Sequence, residues 1–270
     1  EGVVLAVSDL SFGDGNSGEW KSVGVNIDGL VSTAQSKDLC MPNSGASTSV
    51  PYPDGNDGID NSFGKNLLPI LLSLYPNWPG DINKGISDGV FTTLLKLQCL
   101  PETGDVPSFT TKVFGATDLG YTPKFNGTDV WPVAPELLSD LADPLSSTVV
   151  FPAASVTGQT FNSGKNQTFI LTVPLNTMMG STSLKLTLYA AQTTMTLSDN
   201  RKSATKGIIS GVLNAEELVT EVKKVGALLG LREQAIFGNI LTQVRQASDI
   251  LTDGTQTFVS AHLADATGSF

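Results

Sequence analysis

The chain has 270 residues, 40% of them hydrophobic and only 16% charged, with a net charge of −10, which is enough to bury a sizeable core in one large domain or two modest ones. A surface this acidic repels phosphate backbones and anionic membranes, so it argues against nucleic-acid or membrane-surface partners and favours divalent cations. The polar remainder is mostly Ser, Thr, Asn and Gly; that balance suits an extracellular β protein better than a cytosolic helical enzyme, and no apolar run reaches the ~20 residues of a transmembrane segment.

In chain order, the opening Glu1-Gly2-Val3-Val4 lacks the basic start of a signal peptide and reads as a processed or trimmed chain. Residues 1–30 read as strands. Val23, Val25 and Ile27 alternate with Gly24, Asn26 and Asp28, and Asp28-Gly29 ends the run as a turn. Residues 31–66 show little periodicity and form a long loop, which a compact domain tolerates when something holds it.

Residues 67–100 read as helical. Ser87 is an N-cap with Asp88 in the first turn, Val90, Leu94 and Leu97 recur at helical spacing, and Pro101 stops the run just after Cys99. Residues 106–200 return to strand. Phe169, Leu171, Val173 and Leu175 share a face, as do Leu184, Leu186 and Leu188; Met195 and Leu197 alternate, and Gly180-Ser181 marks a turn.

Residues 207–251 read as an αα-hairpin. Asn214 and Glu217 have capping-box spacing, Leu218, Val222, Val225 and Leu229 form one core stripe, and Ile236, Ile240, Val244, Ala247 and Leu251 form another, with Gly230 between. The tail from Asp253 is strand or irregular. The expected fold is α+β and β-dominated: an antiparallel β-sandwich or jelly-roll-like core with a helical segment near 67–100 and an αα-hairpin near 214–251. It is read as a single domain over 1–270, the alternative being a subdivision into 1–105 and 106–270.

The sharpest chemical feature is Asp54-Gly55-Asn56-Asp57-Gly58-Ile59-Asp60-Asn61. Asp54, Asn56, Asp57, Asp60 and Asn61 offer oxygen ligands of the kind calcium prefers, and the glycines allow tight turns. The spacing is not that of an EF-hand, and the competing reading is a solvated turn rich in Asp and Asn. Cys40 and Cys99 lack zinc-site spacing. In an oxidising compartment a Cys40–Cys99 disulfide would close a loop of about 60 residues, worth roughly 4 kcal/mol in the chain-entropy model; two buried free thiols are the alternative.

Catalytic signals are weak. The only histidine is His262, and there is no Gly-x-Ser-x-Gly elbow, Rossmann fingerprint or P-loop. A carboxylate pair for glycoside hydrolysis stays open among 26 acidic residues. Trp20, Trp78 and Trp131 read better as core than as a sugar-stacking face. Asn126-Gly127-Thr128 and Asn166-Gln167-Thr168 match the glycosylation sequon.

Several stretches together carry a resemblance: WKSVGVNIDGLVST at 20–33, Cys40-Met41-Pro42, DGNDGIDNSFGKNLLPIL at 54–71, FNGTDVW at 125–131, GIISGVLNAEELV at 207–219 and QVRQASDIL at 243–251. The chain resembles predicted surface lipoproteins of myxobacteria and related bacteria, most specifically in DGIDNSFG. The resemblance implies export, with lipid attachment through an N-terminal segment outside this chain, and adds weight to a metal site without naming a ligand. Members of that group carry further cysteines toward the C-terminus where this chain has none, so no disulfide arrangement carries over.

The expectation is therefore a secreted or cell-surface, calcium-stabilised protein with no evident catalytic machinery, binding another protein, a glycan or extracellular matrix. The alternatives are a polysaccharide-active hydrolase or lyase and a subunit of an extracellular assembly.

Overall fold

A computed structural model describes residues 2–13, 18–36, 53–165, 167–177, 180–232, 234–248, 250–255 and 268–269. In chain order the elements are β1 (Gly2–Ala6), α1 (Leu68–Leu74), α2 (Trp78–Asp88), β2 (Thr92–Gln98), β3 (Val106–Ala116), β4 (Val149–Thr157), β5 (Thr160–Asn162), β6 (Gln167–Thr177), β7 (Gly180–Leu197), β8 (Ala204–Leu213), α3 (Ala215–Leu228), α4 (Ala235–Gln246), β9 (Ile250–Leu251) and β10 (Gly268–Ser269). The fold is α+β and β-dominated. One sheet has the order β1-β2-β3-β4-β5-β7-β6, with β8 also paired to β7, and β10 pairs with β9.

The chain divides into two compact units built from interleaved segments. The first comprises 1–10, 80–171 and 191–209; the second comprises 11–79, 172–190 and 210–270. In the first unit β1 to β5 pair antiparallel in succession, and β5 pairs with β7 through Phe161↔Met195. The apolar faces of these strands make the core: Leu97, Val113, Phe151, Val156 and Phe161 are all buried. Arg201 is buried here as well, and its guanidinium donates to the carbonyls of Pro101, at 2.7 Å, and Gly104. A buried cation is thereby solvated by peptide oxygens.

Residues 92–98 correct the helix expected over 67–100, because they form a strand. Gly89 has φ 85, and a Cβ there would meet the Tyr121 carbonyl oxygen at 2.4 Å. The helix therefore ends at Asp88, so Ser87 and Asp88 close α2 instead of opening a new helix. Beyond it, Thr92 and Thr93 supply β-branched side chains and Leu94 and Leu95 pair opposite Phe114 and Val113. Cys99 follows the strand in a left-handed conformation, φ 53, and is exposed, not in the last turn of a helix. Cys40 lies outside the described residues, and with it the expected bridge; His262 lies outside them too.

In the second unit the helical hairpin is present at 215–246, while residues 207–213 belong to β8 and Leu251 to β9. Asn214 caps α3 as its spacing predicts, its Oδ1 accepting from the N–H groups of Glu216 at 3.0 Å and Glu217 at 3.2 Å. Leu218 and Val222 on α3 and Ile240 and Val244 on α4 are buried. The α4 stripe starts one residue later than expected: Ile236 is 57% exposed and Phe237 is buried in its place. Glu216 and Arg245 join the two helices through bonds of 2.6 and 2.9 Å, and the guanidinium holds the Glu216 carboxyl below its usual range. Gly180 and Ser181, expected in a turn, open β7.

Candidate functional site

The Asp-rich stretch folds against residues 20–32, all within the second unit. The alternation over 23–27 predicts a strand, but these residues form bends. Side-chain oxygens take the backbone N–H groups that a ladder would use. The Ile27 N–H donates to the Asp60 carboxylate at 2.6 Å, Gly29 N–H to Asn26 Oδ1 at 2.6 Å, and Leu30 N–H to Asp28 Oδ1 at 2.8 Å.

Two aspartates fasten the two segments reciprocally. Asp54 N–H donates to the Ser32 carbonyl at 3.1 Å, and its carboxylate accepts from Ser32 N–H. Asp60 N–H donates to the Val25 carbonyl at 3.0 Å while its carboxylate accepts from Ile27 and, more weakly, from Asp28 at 3.4 Å. Gly58 is required by this closeness: a Cβ would lie 2.4 Å from Asn26 Nδ2 and 2.5 Å from the Leu30 carbonyl, and its φ is 81.

The predicted ligands thus separate into three groups. Asp54 and Asp60 are partly buried and face a third carboxylate, Asp28, which sequence reasoning assigned only to a turn. Asn56 and Asp57 are exposed, Asp57 at φ 56. Asn61 spends its amide locally, donating to the Val23 carbonyl at 2.8 Å and accepting from Gly64 N–H at 2.7 Å, where it caps the helical run that leads into α1.

Burial raises the Asp60 carboxyl to about 7, with the nearby Asp28 and Asp54 charges adding to it and the Ile27 N–H opposing. Burial also raises Asp54, against the Ser32 N–H, with Asp28 reinforcing and Lys65 opposing. Asp28 Oδ2 is buried and has no hydrogen-bond partner among the described residues. Among the described residues no three His, Cys, Asp or Glu side chains stand as a metal-ligating group.

Lys65 lies at the border of this cluster. Its ammonium donates to the Pro53 carbonyl at 2.8 Å and sits 4.6 Å from the centre of the Trp20 ring. Trp78 is buried against Phe12 at 4.7 Å and belongs to the core, as predicted. In the first unit Trp131 is half-buried beside Phe125.

A second feature of this unit is an apolar cavity of about 40 Å³ between Leu71, Tyr75, Leu184, Val222, Gly226 and Phe237. A cavity of about 150 Å³ accepts benzene, so this one is a packing defect rather than a ligand pocket. Comparison with protein-family models, curated proteins and solved structures finds no match for this chain. No helix among the described residues is long and apolar enough to cross a membrane.

Proposed function

We propose that the protein is an extracellular or cell-surface binding or structural module whose Asp-rich loop is held closed by a calcium ion. The observation that carries this reading is Asp28 Oδ2, a buried oxygen without a hydrogen-bond partner among the described residues, beside two further carboxylates that burial biases toward the neutral form. Like charges withdrawn from water are costly unless protons or a cation neutralise them. Calcium takes about 6–8 oxygens in flexible geometry, and backbone carbonyls and water would complete a set begun by Asp28, Asp54 and Asp60. The Ser-, Thr- and Asn-rich acidic composition and the lipoprotein resemblance support export, with a lipid anchor outside this chain.

Thermal unfolding of chelator-treated protein, with and without calcium and with magnesium as control, tests the reading. Calcium at a hundredfold excess over its Kd should stabilise by about 2.7 kcal/mol. Asp28→Asn and Asp60→Asn should remove the shift, and Asp57→Ala should keep it. No calcium-specific shift, with no metal in the purified protein, would end the metal reading and leave a loop fastened by aspartate-to-backbone bonds.

A second reading, a subunit of an extracellular assembly, rests on β1. This strand ends the sheet order, pairs with β2 without a bulge from Gly2↔Gln98 to Ala6↔Leu94, carries no charge or proline, and leaves Val4 55% exposed. Edges without such protection pair with other strands. Sedimentation across a concentration series should show association that Val4→Lys abolishes; a monomer at every concentration would refute it.

A further inference from the structure

Asn126-Gly127 is the only Asn-Gly pair in the sequence. It lies at the exposed tip of a loop whose base is fixed by Asp129, whose carboxylate accepts from Lys124 N–H at 3.0 Å and Phe125 N–H at 2.7 Å. That clamp holds Phe125 at φ 48, an uncommon conformation for an aromatic residue. At the tip, Asn126 Oδ1 accepts two hydrogen bonds from Thr128, from its N–H at 3.1 Å and its hydroxyl at 2.7 Å. Neither the Asn126 amide nitrogen nor the Gly127 N–H has a hydrogen-bond partner among the described residues. Among the described residues nothing lies within 4 Å of the place where a Gly127 Cβ would stand.

We propose that Asn126 is a site of spontaneous modification, in which the Gly127 backbone nitrogen closes on the Asn126 side-chain carbonyl and water completes conversion to aspartate and isoaspartate. Solvent hydroxide removes the Gly127 amide proton. The nitrogen forms a bond to Cγ, and negative charge develops on Oδ1. The Cγ–Nδ2 bond then breaks, and ammonia leaves after taking a proton from water. Water adds to one of the two imide carbonyls and opens the five-membered ring, with no change of oxidation state and no other co-reactant.

The loop supplies three things to this reaction. The attacking nitrogen has no hydrogen bond among the described residues, the following residue has no side chain to crowd the ring, and the two Thr128 donors already address the oxygen that becomes charged, as an oxyanion hole does. The product adds a negative charge three residues from the Asp129 clamp. The isoaspartate form also lengthens the backbone by one carbon beside the strained Phe125, whose ring lies 6.2 Å from that of Trp131.

The experiment follows the folded full chain and the denaturant-unfolded chain in mildly alkaline buffer, by peptide mapping with an isoaspartate-specific label. Amide loss in the folded chain should concentrate in the 124–131 peptide, at a rate within roughly tenfold of the unfolded chain. Asn126→Gln should abolish it and Gly127→Ala should slow it in both states. Thr128→Val should slow it several-fold in the folded chain only. Protection of roughly a hundredfold or more in the folded chain would overturn the proposal, and so would a Thr128→Val variant that reacts like wild type in both states.

Discussion

Raising the pH from about 5 to about 8 should destabilise the metal-free protein, and Asp60 should be the main reason. The Asp60 carboxyl titrates near 3.8 when unfolded and at about 7 in the fold. Between those values the folded chain holds a proton that the unfolded chain has released. Stability therefore falls as pH rises through the window and levels off above about 7. The whole shift corresponds to about 4 kcal/mol, of which the comparison between pH 5 and 8 reads at most about 3 kcal/mol, reduced because part of the carboxyl is solvated and screened.

The Glu216 pair works in the opposite sense. Its folded carboxyl titrates below 4.5, so the stability it lends is lost only as pH falls through that lower range, outside the comparison. Urea unfolding at the two pH values should show the loss in wild type and little of it in Asp60→Asn, whose amide oxygen can still accept from Ile27 N–H. An equal loss in both proteins would rule Asp60 out as the buried acid. Saturating calcium should stabilise most at the higher pH, where the ion competes with no proton. A pH dependence that calcium leaves unchanged would separate the buried acid from the metal reading.

The strand-rich character was legible because leucines and phenylalanines alternate with threonines over 106–200, and period-two burial leaves few other options. The capped helix at 215 was legible for a similar reason, since Asn214 and the carboxylates after it satisfy a local requirement that no distant contact overrides. The misreadings share one cause. At 90–98, Val90, Leu94 and Leu97 fit a helical stripe as well as a strand buried on both faces, and only the left-handed Gly89, packed on the Tyr121 carbonyl, decides between them. At 23–27 a valid alternation is defeated by Asp60, more than thirty residues away, which takes the Ile27 N–H that a ladder would need. The same nonlocality hides Asp28 from the candidate site. In sequence it precedes a glycine and reads as a turn, whereas in the fold it joins Asp54 and Asp60.

Gly226→Val should be among the most destabilising single substitutions in the second unit, with Gly226→Ala a smaller loss. A glycine inside a helix ordinarily costs about 1 kcal/mol relative to alanine, so on local grounds both changes to α3 look harmless or helpful. Packing reverses the sign. A Cβ on Gly226 would stand 2.3 Å from Phe237 Cζ and 2.4 Å from Cε2, both on α4, and the ring is buried. Overpacking of this kind costs typically about 1–3 kcal/mol, enough to cancel the alanine gain and to exceed it for the branched valine.

The ring lines the adjoining cavity, but about 40 Å³ is too small to take it whole. Phe237→Leu shortens the group that clashes, so the double variant with Gly226→Ala should recover 1 kcal/mol or more, at the order of magnitude of a contacting pair, relative to the sum of the single changes. Urea unfolding of the four proteins in that cycle measures it. If Gly226→Ala instead stabilises by about the helix-propensity increment, the Phe237 ring has moved into the cavity, and the close approach of α3 and α4 does not depend on glycine. A destabilised alanine variant rescued by the leucine would establish that the hairpin is spaced by the missing side chain.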